Sequence, residues 1–439
     1  MSRRLLLAAG LVCATLAASG AELLLIPNVL QRLSYDDNLQ LRTLRQNTPD
    51  EIADQREAYL YRIEPSLEMR ARGDAWTLNS TAGIGFDRYD PSEFDIDTQR
   101  FSLSGRRFSE RQSFLIDGSI RRRAQLTTET TGSGLLEATR VESVSVRPSY
   151  QRQLSERMQL TAGLGLFNQH FASLNLQDFE NVTADVTLAR QLDDSSLIDF
   201  TVFAQEFETE SRPNLACGGL GVFPVGGTFT LGQSCSEFDT RRESTTYGVQ
   251  LGWRKVVSER LEFNILAGYR DVESRSVSAN IQTDCIFGLN GQQLTPCTGS
   301  VPDVEASDTS SGLLAATGLS YRGERYSYSF RVERAVSPVG LGFLIETDSL
   351  NGSLRYDFAQ RVAGVATFRV LDSESITEGT QFDRRFLSLD LKLDWRLSQS
   401  WRVSPGVRWR DQTFDALNQE ADSFSVFVNL TYRPEGISL

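Results

Sequence analysis

The chain has 439 residues, 40% of them hydrophobic, and a formal net charge of -12 at neutral pH. A mean hydropathy of -0.28, with no apolar run of about 18 residues beyond the N-terminus, excludes a helical membrane protein. The acidic balance argues against a nucleic-acid binder, which presents a basic face.

The N-terminus reads as an export signal. Ser2-Arg3-Arg4 supplies positive charge, Leu5 to Ala18 is apolar but too short to span, and Ala18-Ser19-Gly20 or Ser19-Gly20-Ala21 offers small residues for cleavage. Residues 1–20 are therefore expected to be a signal peptide and 21–439 one barrel domain. Cys13 lies inside the signal without a lipoprotein pattern around it.

From Leu24 onward the pattern is a two-residue alternation of apolar and polar side chains. That period marks strands with one oily and one wet face. Strands are expected near 24–35, 59–72, 76–89, 98–108, 112–125, 140–154, 158–171, 181–192 and 197–209. Nine more follow near 244–257, 261–272, 311–321, 325–334, 349–358, 361–371, 384–397, 401–413 and 423–432. The stretch 385–410 is the clearest case. Leu387, Leu389, Leu391, Leu393 and Trp395 alternate with Ser388, Asp390, Lys392, Asp394 and Arg396, then fold back through Ser398-Gln399-Ser400. Each arm has the roughly 9–11 residues a tilted strand needs to cross a bilayer.

Short polar turns, among them Ser109-Glu110-Arg111, Ser155-Glu156-Arg157 and Ser258-Glu259-Arg260, alternate with longer segments near 36–57, 126–139, 210–243, 273–310 and 335–348. Short periplasmic turns, longer outer loops and an even strand number describe an outer-membrane barrel. The expected fold is all-β: a transmembrane, antiparallel, up-and-down barrel of about 18 strands in the outer membrane, in contact with its lipid and lipopolysaccharide.

Four cysteines follow the signal: Cys217, Cys235, Cys285 and Cys297. They fall in two long Gly-rich segments, expected to be loops. An exported chain meets an oxidising compartment, so disulfides are expected. Cys217–Cys235 and Cys285–Cys297 are the favoured pairs, each closing its own loop. Zinc is the lesser reading, because His170 is the only histidine.

Lys255 and Lys392 are the only lysines, which leaves 43 arginines. Alternation turns Arg62, Arg70, Arg106, Arg121, Arg147, Arg254, Arg270, Arg331, Arg355, Arg369, Arg402 and Arg408 toward the lumen. Glu64, Glu68, Asp117, Asp185, Asp199, Glu262, Glu333, Asp357, Asp390 and Asp394 follow them. The plain reading is a polar lumen cross-linked by ion pairs. The sharper one is a mixed-charge path for an anionic solute or polymer, since guanidinium forks match carboxylates.

Catalytic chemistry is not expected. His170 and Ser173 sit three apart on a strand and so point to opposite faces. Asp36-Asp37-Asn38 and the group Glu93, Asp95 and Asp97 could offer oxygens to Ca²⁺, but a solvated outer loop is the expected reading. No metal or other cofactor is expected.

Pro27 through Asn38, ending Ser34-Tyr35-Asp36-Asp37-Asn38, resembles the opening of the β-barrel porin 2 family, with Tyr35, Asp36, Asp37 and Asn38 as the motif. The resemblance implies an outer-membrane barrel taking part in extracellular polysaccharide export, with polysaccharide and periplasmic export components as partners. It carries over no catalytic residues. Three functions stay open: a conduit for exopolysaccharide, a general or solute-specific diffusion porin, and a structural or adhesive barrel acting through disulfide-closed outer loops. A lipid hydrolase is weaker still.

Overall fold

A computed structural model of the protein describes residues 22–39, 41, 57–125, 139–172, 176–210, 214–225, 228–288, 293–295, 299–301, 304–339, 343–376, 383–415 and 419–438. Backbone alone is described for 93, 124–125, 210, 214–225, 228–240, 278–288, 293–295, 299–301, 304 and 419. The expected signal peptide lies outside these residues.

Eighteen strands form the barrel. They are β1 (Glu22–Asp36), β2 (Ala58–Gly73), β3 (Trp76–Asp90), β4 (Ile96–Phe108), β5 (Gln112–Gln125), β6 (Thr139–Ser155), β7 (Met158–Phe171), β8 (Asp178–Asp193) and β9 (Ser196–Glu210). The second half comprises β10 (Thr228–Ser258), β11 (Leu261–Gly288), β12 (Val304–Arg322), β13 (Tyr326–Pro338), β14 (Leu344–Ala359), β15 (Val362–Ser375), β16 (Asp383–Arg396), β17 (Trp401–Phe414) and β18 (Gln419–Tyr432). Each pairs antiparallel with the next, and β18 returns to β1. All eighteen strands expected from the alternation are present.

The register shows why this sequence closes. Directly opposed residues share a face, so Leu33, Tyr61, Phe86, Ile116, Ile120, Val144, Leu166, Val186, Val202 and Leu251 fall on one continuous outer surface. In water such a surface would be a fault; here Leu251 is 53% exposed and Val202 47%. Large apolar side chains bare on one face only are what hydrocarbon requires. Near the short turns Trp401 packs by Tyr432 with ring centroids 4.7 Å apart, Tyr321 stacks on Tyr326 at 5.1 Å, and Tyr356 meets Phe358 edge-on at 5.0 Å. These rings make one interfacial girdle. The protein is a transmembrane barrel of the bacterial outer membrane.

The expectation of long outer loops is corrected. The segments 210–243 and 273–310 are not simple loops. β10 runs for 31 residues and β11 for 28, and Asn214–Val225 adds a strand to the outer part of β10. Beyond the bilayer no apolar face is needed, so the alternation that betrays the other strands is missing there. Three cysteines therefore lie on strands. Cys235 is opposite Cys217 on one side and Cys285 on the other. Their side chains, and Cys297 altogether, lie outside what is described. The residues after Tyr432 also have a place: Ile437 and Ser438 pair with Leu25 and Leu24, extending the closing ladder along the foot of β1.

The family-like motif is the clasp of that closing seam. The β1–β18 ladder runs from Val29↔Tyr432 to Asp36↔Ser425. At its outer end Asp36 accepts from Arg410 Nη2 at 2.7 Å and from Ser423 Oγ at 2.8 Å. The amide of Phe424 donates to Asp37 Oδ1 at 2.7 Å, and Asn38 Nδ2 donates to the Asp422 carbonyl at 2.9 Å. Tyr35 packs on Tyr59 outside, ring centroids 5.0 Å apart. Asp36 is 9% exposed and Asn38 2%. This is neither the solvated loop expected from sequence nor a calcium cradle, since both Asp36 oxygens are taken. Among the described residues no cluster of three or more metal-ligating side chains occurs.

Asp36→Ala should leave Arg410 buried without its counter-charge, at a cost of about 3–5 kcal/mol. Asp37→Ala removes one hydrogen bond, worth about 1 kcal/mol. Urea unfolding in lipid vesicles should rank them in that order.

Candidate functional site

The lumen is where this sequence concentrates charge. Most of the inward arginines predicted from alternation are tied to a carboxylate. Arg70 bonds Glu68 at 2.6 Å, Arg147 Asp185 at 2.6 Å, Arg254 Glu262 at 3.5 Å and Arg331 Glu333 at 2.7 Å. Arg355 reaches Asp357 at 2.8 Å and Asp394 at 3.6 Å. Arg270 meets Glu346 at 2.6 Å and Arg408 meets Asp390 at 2.5 Å. Arg106 lies 3.5 Å from both Ser113 and Gln151, and Arg369 donates to Asn351 at 3.0 Å. Arg402 faces Arg396 across the β16–β17 ladder. These residues are spread around the wall rather than gathered in one place.

One region differs. A cavity of about 820 Å³ opens on the inner wall formed by β1 to β5, with β17 and β18 beside it. Seven arginines on inward positions line it: Arg32, Arg62, Arg100, Arg121, Arg123, Arg408 and Arg410. Arg62 grips Asp87 with both nitrogens, at 2.6 and 2.5 Å, and Asp87 is 1% exposed. Arg100 extends over Gly83 to Glu64 at 3.0 Å. A Cβ on Gly83 would stand 3.0 Å from Arg100 Nε, so the bare glycine is what lets that arm lie flat. Arg410 and Arg408 are held by Asp36 and Asp390.

Arg32, Arg121 and Arg123 have no carboxylate within ion-pair distance among the described residues. Arg32 instead lies over the Phe427 ring, 4.6 Å from its centroid, and its buried Nε has no hydrogen-bond partner. Register makes the excess sharper. Arg32 stands directly opposite Arg62, and Arg100 directly opposite Arg121. Like charges opposed across a ladder destabilise it. Among the described residues, seven guanidinium groups against Asp36, Glu64, Asp87 and Asp390 leave three positive charges over, inside a protein whose net charge is -12. Leu39, Ala58, Leu60 and Tyr89 cap the cavity at its outer end with apolar surface.

Sequence reading named Arg62 and Arg408 as lumen residues and turned Arg121 inward. It did not single out Arg32, Arg100 or Arg123. The signal for Arg32 was present, since Leu33 and Tyr35 fix the outward parity of β1. In the run Arg121-Arg122-Arg123 three like residues blur the alternation, and Arg123, two residues on from the inward Arg121, was passed over.

At the opposite wall the lumen is crossed. Val141, Phe171, Phe179, Phe207 and Val272, all on inward positions of β6 to β9 and β11, form one buried cluster with Leu176 and Leu344. Val336 and Ile376 pack against it. Leu344 and Val336 belong to the outer ends of β14 and β13, which therefore lie across the outer mouth. The β12–β13 ladder explains how. It stops at Ala315↔Arg334, while β11–β12 continues to Ser278↔Val304 and β13–β14 to Pro338↔Leu344.

His170 is on the outward face of β7, where its Nδ1 lies 2.5 Å from Asp178 Oδ2. Ser173 lies outside the described residues. Of the second acidic group, Asp95 accepts from the Tyr89 amide at 2.6 Å and Asp97 pairs with Arg88 at 2.9 Å; the side chain of Glu93 lies outside what is described.

No family model matches the chain, and no curated protein matches it. Similar solved structures include the ferric yersiniabactin uptake receptor FyuA of Yersinia pestis, 9% identical, covering 93% of this chain and 80% of that one at a TM-score of 0.44. Pseudomonas aeruginosa OpdQ is 8% identical over 93% of this chain and 99% of its own, TM-score 0.43. Acinetobacter baumannii OccAB4 is 8% identical over 94% and 98%, TM-score 0.42.

Paired and unpaired arginines should separate on mutation. Arg62→Ala leaves Asp87 buried and uncompensated, at about 3–5 kcal/mol of stability. Arg121→Ala should stay within about 0.5 kcal/mol of the parent. Chemical denaturation of the two variants checks this.

Proposed function

We propose that this protein is an outer-membrane diffusion channel for small anionic solutes. The observation that carries the reading is the set of three arginines, Arg32, Arg121 and Arg123, that have no carboxylate partner among the described residues and share one wall of the lumen. Neutralising them would have taken three carboxylates in a chain that has 57. A ring or wall of one sign draws the opposite ion into a pore. Guanidinium forks add a geometric match to carboxylate and phosphate oxygens. Thr81, Gly83, Gly85, Thr98 and Ser102 give the cavity a smooth polar floor on which a hydroxyl-bearing solute can slide.

The size of the opening favours small solutes. The cavity against the arginine wall, about 820 Å³, has room for a small solute, and in the state described the apolar cluster joining β6 to β9 with the ends of β13 and β14 stands across the outer mouth. The expectation of exopolysaccharide export draws no support from this geometry.

Reversal potentials in planar bilayers under a tenfold KCl gradient test the reading. The parent should favour chloride over potassium. Replacing Arg32, Arg121 and Arg123 together with Ala should lower that preference several-fold without loss of the folded barrel. A cation-selective parent would contradict it.

A further inference from the structure

The alternation of β13 and β14 is written for a wall that the structure does not complete. Tyr328, Phe330 and Val332 face outward on β13, so Val336 occupies an outward position, yet it packs on the luminal cluster. Glu346 occupies an outward position on β14 and reaches instead to Arg270 inside, at 2.6 Å. Beyond Arg334 both strands have turned their lipid-side faces into the lumen. The neighbour they left shows the loss. Leu313 on β12 is 65% exposed, the highest value for a large apolar side chain among the described residues. Extending the observed register past Ala315↔Arg334 would bring Leu314 to Ala335, Leu313 to Val336, Gly312 to Ser337 and Ser311 to Pro338. Val336 would then cover Leu313.

We propose that the outer ends of β13 and β14, residues 335–339 and 343–345, are a gate. In the closed form they lie across the mouth. In the open form they zip onto β12 in that register, completing the wall and clearing the lumen. Arg270 is the latch. It is 2% exposed, its arm passes over Gly312, where a Cβ would stand 3.0 Å from Nη2, and its Nε and Nη1 have no partner among the described residues. Among the described residues its one ion pair is to Glu346, which also lies 3.6 Å from Arg334 Nη1, and the Arg270–Glu346 contact is what the opening must break. Pairing residues 311–314 of β12 with 335–338 of β13, which the described ladder leaves apart, favours opening; the apolar cluster and the latch favour closure. The gate deepens the channel reading, but its motion can be measured without any conductance.

The test places cysteines at Leu313 and Val336 in the full chain, in lipid under mild oxidant. Linked peptides are identified by mass, which separates them from the native cysteines. A Thr317→Cys, Val332→Cys pair four residues down the standing ladder is the control, since it has the same geometry. The control should link in either state. The Leu313→Cys, Val336→Cys pair should link more slowly. Adding Glu346→Gln should raise its rate several-fold, and the linked form should conduct several-fold better than the reduced one. If the control links and the test pair does not, or if Glu346→Gln leaves its rate unchanged, the gate is overturned. Loss of anion preference with cross-linking intact would instead count against the channel reading alone.

Discussion

Every backbone amide and carbonyl that faces hydrocarbon must find a partner within the protein, because the bilayer core offers none. For a sheet this means no free edge at membrane depth. The seam between β1 and β18 is therefore the contact on which the other seventeen ladders depend. It is built with more than backbone. Asp36, Asp37 and Asn38 reach across the outer end of the seam to Arg410, Ser423, Phe424 and Asp422, and Ile437 with Ser438 carry the pairing down to the foot of β1. A motif that looks like an acidic loop or a cation site in one dimension is a clasp in three.

The seam and the candidate site share residues. Asp36 neutralises Arg410 at the edge of the cavity, so closing the barrel consumes one of the few carboxylates on that wall. Elsewhere the lumen is largely balanced, with inward arginines met by carboxylates on the same or an adjacent strand. Among the described residues, inward arginines without a carboxylate partner gather on one wall where Arg32, Arg121 and Arg123 stand, and the opposed pairs Arg32 with Arg62 and Arg100 with Arg121 make that wall less stable than it could be. Departures from local stability of this kind are expected at functional sites. The opposite wall breaks a different rule. There the β12–β13 ladder is left short, and apolar side chains from facing walls meet across the mouth.

Strand number, direction and the in–out sense of the wall were legible because hydrocarbon imposes a period of two. Leu387 to Trp395 could hardly be anything else. Where that pressure ends, legibility ends with it. The outer reaches of β10 and β11 read as loops because water accepts either face. Val336 and Glu346 obey the alternation and yet meet luminal partners, because beyond Arg334 their strands no longer pair with β12. The roles of Asp36 and Asn38 could not be seen at all, because their partners lie more than 370 residues away in sequence.

Hydrogen–deuterium exchange of the lipid-embedded protein, read at residues 29–36 and 425–432, tests closure most directly. A closed barrel predicts protection at this seam equal to that of an interior ladder such as β7–β8, lasting hours. Exchange of those amides within seconds, with the interior ladders still protected, would mean that the first and last strands are apart and would contradict the account.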